Sequence, residues 1–89
     1  MKVEVILFGQ LRDLAGTRGQ TWELEDGAIL ATLLDRMMAQ YGPAFRDEIQ
    51  HGRGNRILID GQDSDLINGV KTVLNDGATV VFMPPIAGG

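Results

Sequence analysis

The atoms of this chain best suited to covalent chemistry are at its end, where Gly88 and Gly89 follow Met83-Pro84-Pro85-Ile86-Ala87. Two residues without Cβ carry an α-carboxylate that can enter a narrow channel in another protein and adopt backbone angles closed to other residues. No side chain shields the terminal carbonyl carbon from attack. A carboxylate is nevertheless a poor electrophile, because attack adds charge to an already anionic centre that has no competent leaving group. Chemistry at Gly89 therefore requires activation by another protein. The competing reading is an inert, frayed glycine end.

No other group in the chain rivals the tail. There is no cysteine, so the protein has no disulfide, thiolate metal site or nucleophilic thiol, and any sulfur it handles must be borrowed. His51 is the only histidine. It lies in the polar, glycine-rich run Gln50 to Asn55, with no acid or nucleophile near it in sequence, and reads as a solvated loop residue. Gly52-Arg53-Gly54 lacks the strand-glycine-helix context of a phosphate-binding loop and reads as a turn. Asp60, Asp63 and Asp65 cluster, but a calcium loop starting at Asp63 would need oxygen ligands where Ile67 and Leu74 stand, which excludes it. No metal site and no stably bound cofactor is expected.

Composition narrows the partners. Twelve acidic against eight basic residues give a formal net charge of −4; that charge repels phosphate backbones, argues against nucleic acid, and suits a protein partner with a basic surface. The apolar runs are all far shorter than the roughly 18–20 residues that span a bilayer, and Glu4 interrupts the start where a signal peptide would be apolar. The expectation is a cytoplasmic protein without membrane contact. At 89 residues there is material for one core only: a body over residues 1–83 and a tail over 84–89.

Several elements must position that tail. Val3, Val5 and Leu7 alternate with Lys2, Glu4 and Ile6, a period of two that predicts a first strand, with apolar residues on both faces as it approaches Phe8. Gln10 to Ala15 predicts a short helical turn closed by Gly16, and Gln20 to Leu24 a second strand. Ile29, Leu30, Leu33, Leu34, Met37, Met38 and Tyr41 form one apolar stripe at helical spacing, with Met37 and Met38 as core. Asp26 is the expected N-cap, Gly42 the expected left-handed terminator and Pro43 the stop. Arg56 to Ile59 predicts a buried strand ended by the turn pair Asp60-Gly61. Val70 to Leu74 reads as a further short strand, then a turn at Asn75-Asp76-Gly77, and Thr79 to Met83 as the segment of strongest β propensity. Two strands, one dominant helix and short strands ending in a final strand make an α+β, β-grasp arrangement: a mixed sheet holding one main helix.

Ile6 to Gly16 (ILFGQLRDLAG), Ile57 to Gly61 (ILIDG) and Leu74 to Gly89 (LNDGATVVFMPPIAGG) together resemble the MoaD/ThiS family of ubiquitin-like sulfur carriers, almost end to end. Pro84-Pro85 ahead of Gly88-Gly89 is closer to the small subunit of molybdopterin synthase than to the thiamine-pathway carrier. Ile67 to Gly77 also resembles longer relatives that include archaeal ubiquitin-like modifiers. Met83 stands where the synthase subunit commonly has an aromatic, and Ile86-Ala87 replaces its usual Val followed by Ser or Thr.

The resemblance implies a function. A ubiquitin-activator-like enzyme would use ATP to adenylate the Gly89 carboxylate, and a persulfide donor protein would convert it to a thiocarboxylate. A molybdopterin synthase large subunit would then consume the sulfur, this chain serving as the carrier subunit without a catalytic site of its own. Gly88 would give access to the channel. Partner contacts are implied at Phe8, Arg12, Phe82, Met83, Pro84, Pro85 and Ile86, with Phe8 and Met83 in an apolar docking patch and Arg12 facing partner carboxylates. Attachment of Gly89 to lysines of other proteins is the alternative, since activation is common to both routes, and a carrier role in another sulfur pathway such as thiamine is a further one. Lys2 and Lys71 are the only lysines, which offers few sites for chains of the protein on itself.

Overall fold

A computed structural model describes residues 1–85; Ile86, Ala87, Gly88 and Gly89 lie outside the described residues. The chain runs β1 (Lys2–Leu7), α1 (Gly9–Ala15), β2 (Gly19–Glu23), α2 (Leu30–Tyr41), α3 (Pro43–His51), β3 (Arg56–Ile59), β4 (Gln62–Asp63) and β5 (Thr79–Met83), with single 3₁₀ turns at Ser64–Leu66 and Gly69–Lys71. The strands form one mixed sheet in the order β2-β1-β5-β3-β4. β1 and β5 are its parallel centre, paired Glu4↔Thr79 through Leu7↔Phe82, and the flanking pairs are antiparallel.

Pleating sorts the side chains. In β1, Val3, Val5 and Leu7 are buried and Lys2, Glu4 and Ile6 are exposed; in β5, Val80 and Phe82 are buried. These residues meet Leu30, Leu33, Leu34, Met37 and Met38 of α2, Leu11 of α1 and Phe45 of α3 in one core. The helices cover one sheet face and leave the other open.

Four local expectations are corrected. Asp26 does not cap α2: the helix starts at Leu30 after an extended Ile29, with no side-chain cap. The Leu30 N–H donates instead to the Thr72 carbonyl (2.9 Å) and the Leu74 N–H to the Ala28 carbonyl (2.9 Å). Pairing with a distant segment satisfies a helix-start donor, and Asp26 is left 3.5 Å from the N-terminal ammonium. Gly42 ends α2 at φ 94°, ψ −171° rather than in the left-handed helical region, and Pro43 opens α3; its missing N–H is no loss at a first helical position. α3 absorbs Gln50 and His51, expected in a loop, because Phe45 and Ile49 anchor it on the core. Val70 to Leu74 is no strand, its Lys71 and Thr72 N–H groups being spent on local turn bonds to the carbonyls of Asn68 and Gly69 (3.1 Å each).

The Asp60-Gly61 turn is present, joining β3 to β4, with Asp60 at φ 50°. Asp60 Oδ1 accepts from the Thr79 N–H at 2.9 Å. Asp63 Oδ1 accepts from the Asp65 N–H at 3.0 Å. Both carboxylates are thereby engaged in holding turns.

Candidate functional site

β5 leaves the sheet between its two neighbours. On the β1 side the last parallel pair is Leu7↔Phe82, and the Phe8 N–H closes the ladder on the Phe82 carbonyl at 3.2 Å. On the β3 side Met83 is opposite Arg56. Pro84 and Pro85 follow, and neither has an N–H with which to extend the pairing. Pro84 is half-buried and Pro85 exposed, with Pro84 over Gly9 and Pro85 over Gly54.

The surface around this exit is apolar. Phe8 is 44% exposed and Ile6 36%. Ile6, Val81 and Leu58 are opposite one another across β1, β5 and β3, a step away from Met83, and Val81, Leu58 and Met83 are half-buried. These residues form an apolar patch on the open face, with Phe8 and Ile6 its most exposed members. Ile6, Leu58 and Val81 were not among the residues singled out in the sequence. The signal was available, since each lies an even number of residues from Phe8, Arg56 or Met83 along its own strand.

Arg12 is four residues beyond Phe8, the helical spacing that puts two side chains on one face. Its Nε is 3.7 Å from the Asp13 carboxylate, with both side chains well exposed. Arg56 Nη1 is 3.9 Å from the Asp63 carboxylate. The exposed Arg12–Asp13 pair is worth little at this distance, which leaves the Arg12 guanidinium free to turn to other carboxylates, whereas Arg56 is exposed beside a largely buried Asp63 carboxylate.

Phe82 is a correction. It is wholly buried, because the register that aligns it with Leu7 and Ile57 turns its ring toward the helices, so the side chain is part of the core rather than of the exposed patch. His51 also differs from expectation: it is the last residue of α3, and its Nδ1 is 3.1 Å from Asp47 Oδ1 one turn earlier, an exposed pair and not an isolated loop residue. The expected roles of Ile86, Gly88 and Gly89 fall outside the described residues.

A separate cleft of about 360 Å³ opens between α2, α3 and the inner sheet face, walled by Leu34, Met38, Ile49, Ile57, Val70 and Phe82. Asp35, Gln50 and Asn55 supply its few polar groups. Among the described residues no group of acidic and histidine side chains is arranged to hold a metal ion, and no helix is long and apolar enough to cross a membrane.

A mixed sheet gripping a helix, with a proline-bounded strand exit beside an apolar open face, defines a ubiquitin-like β-grasp protein. Structural comparison agrees: small archaeal modifier protein 1 of Methanosarcina acetivorans superposes with a TM-score of 0.81 at 28% identity, over 99% of this chain and 96% of that one. The sequence pattern of the ThiS family matches residues 5–89, and the chain belongs to that family of ubiquitin-like sulfur carriers. Two curated relatives align along their full length and that of this chain. One is the molybdopterin synthase sulfur carrier subunit of Chlamydomonas reinhardtii, 33% identical over 91 residues. The other is small archaeal modifier protein 3 of Haloferax volcanii, 28% identical over 92 residues.

Proposed function

We propose that this protein carries sulfur on the Gly89 carboxylate for molybdopterin synthesis. The observation behind this reading is the exit of β5, where Pro84 and Pro85 end the sheet pairing beside an apolar patch and stand just ahead of Gly88-Gly89 in sequence. The full-length likeness to a molybdopterin synthase sulfur carrier subunit supports the pathway.

Each step asks something different of the chain. A carboxylate oxygen of Gly89 attacks the α-phosphate of ATP, pyrophosphate leaves, and the acyl carbon gains AMP as a leaving group. A persulfide then displaces AMP, and cleavage of the resulting S–S bond by a second thiol leaves a thiocarboxylate. The six residues from Pro84 to Gly89 reach at most about 20 Å, at ~3.3 Å per residue, which suits a buried active site. The two prolines restrict the free tail, so less order must be imposed on insertion. Ile6, Phe8 and Met83 dock the body while Arg12 and Arg56 meet acidic groups of the partner.

The likeness to small archaeal modifier proteins favours a second reading, in which activated Gly89 forms isopeptide bonds with lysines of other proteins. Intact-mass measurement of the protein purified from its host separates the two: a carrier shows replacement of one oxygen by sulfur, and loaded protein mixed with the large subunit and the pterin precursor yields molybdopterin. Deletion of Gly89 is expected to abolish both while leaving thermal unfolding unchanged, since the core of the described residues is complete at Phe82. Abundant lysine peptides bearing a Gly88-Gly89 remnant, with cofactor synthesis intact after deletion of the protein, would reverse the ranking.

A further inference from the structure

We infer that Gly9 and Gly54 form a two-point seat for Pro84 and Pro85 that sets the direction in which the tail leaves the body, making both glycines positioning residues for activation of Gly89. The inference rests on the activation step of the proposed function and adds residues remote from the tail in sequence.

After Met83 the chain cannot donate to the sheet at two successive positions, because Pro84 and Pro85 lack an N–H. Half of the ladder's steering is thereby lost and packing takes a larger share, and the contacts are close. At Gly9 a Cβ would lie 2.8 Å from Pro84 Cβ and 3.1 Å from its Cγ; at Gly54 a Cβ would lie 2.7 Å from Pro85 Cβ. Real Cβ atoms do not approach carbon so closely, and here neither partner is the loose end of a long side chain, since both belong to rigid pyrrolidine rings. Gly9 follows Phe8, which bonds to Phe82, and Gly54 comes just before Arg56, which is opposite Met83. Each glycine thus flanks β5 on a different side, and the two prolines pass between them.

Both glycines also have positive φ, 62° at Gly9 and 79° at Gly54. That alone does not define a seat, because Gly69 (57°) and Gly77 (82°) share it with no atom within 4 Å of where a Cβ would be. These two are matched controls: alanine there carries the same backbone strain without touching the tail.

The seat predicts nuclear Overhauser contacts in the wild-type protein from the Gly54 Hα protons to the Pro85 ring and from those of Gly9 to the Pro84 ring. With a ubiquitin-activator-like adenylating enzyme, G9A and G54A should lower ATP–pyrophosphate exchange by about tenfold to a hundredfold, the scale of a misplacement near 1 Å. G69A and G77A should leave exchange near wild type at comparable losses of melting temperature. The double variant of Gly54→Ala with Pro85→Gly, which removes the opposing Cβ, should exchange no worse than Pro85→Gly alone. Missing Overhauser contacts, equal loss of exchange in G77A and G54A, or simple additivity of Gly54→Ala and Pro85→Gly would each overturn the seat. If wild-type protein supports no exchange at all, the functional reading fails. The seat is then decided by the Overhauser contacts and by non-additivity of the same pair in thermal unfolding.

Discussion

Replacing Phe82 and Phe8 one at a time tests whether the open sheet face is a surface or an unrecognised part of the core. The residues are neighbours across the β1–β5 junction, joined by the Phe8 N–H to Phe82 carbonyl bond, but Phe82 is wholly buried and Phe8 is 44% exposed. Truncating a fully buried phenylalanine to alanine costs about 3–5 kcal/mol. Phe8 buries roughly half of a side chain of ~200 Å², which at about 25 cal/mol per Å² gives ~2.5 kcal/mol for Phe8→Ser. With an unfolding entropy near 2.1 cal/mol/K per residue, each kcal/mol moves the melting temperature by about 5 °C in a domain of this size. F82A should therefore melt about 20 °C lower, and F8S about 13 °C lower. Partner binding should order the pair the other way. F8S removes an anchor whose loss at an interface is worth about 2 kcal/mol or more, close to a thirtyfold rise in Kd, whereas F82A that is still folded should bind nearly as well as wild type. Circular dichroism melting and calorimetric titration with the adenylating enzyme or the synthase large subunit read both quantities. If F8S and F82A lose equal stability, or if F8S binds normally, the open face is not the docking surface and the reasoning fails.

Two further outcomes are expected. Burial raises the Tyr41 hydroxyl above its ordinary pKa of 10.0, where it donates to Gln20 Oε1 at 3.1 Å; the fold holds the neutral phenol, so its contribution is present below the unfolded pKa and is lost as pH climbs through the raised folded value. Tyr41 is the only tyrosine, so phenolate absorbance titrates it alone, and a midpoint at or below that of the unfolded chain would contradict the burial argument. Asp60→Ala should destabilise by about 1–2 kcal/mol, losing the acceptor for the Thr79 N–H and a residue type that tolerates positive φ. Asp60→Asn keeps both properties and should unfold in denaturant within a few tenths of a kcal/mol of wild type; equal losses in the two variants would show that the carboxylate charge, not the turn, matters.

Where an interaction closes within a few residues, the sequence alone determined the outcome. Alternation in β1, the apolar stripe of α2, the turn pair after β3 and the proline stop after β5 are decided by neighbours two to four positions away, and each stands where the pattern puts it. Only the tertiary structure decided the rest. Val80 to Met83 are all apolar, so a period of two could not say which of them face inward; packing of α1, α2 and α3 on one side chose Val80 and Phe82. The start of α2 was settled by Thr72, more than forty residues from Asp26, and the seat of Pro84 and Pro85 by glycines at positions 9 and 54. Such contacts join segments with no local signature of one another, and they exist only after the sheet brings β1 and β3 to either side of β5.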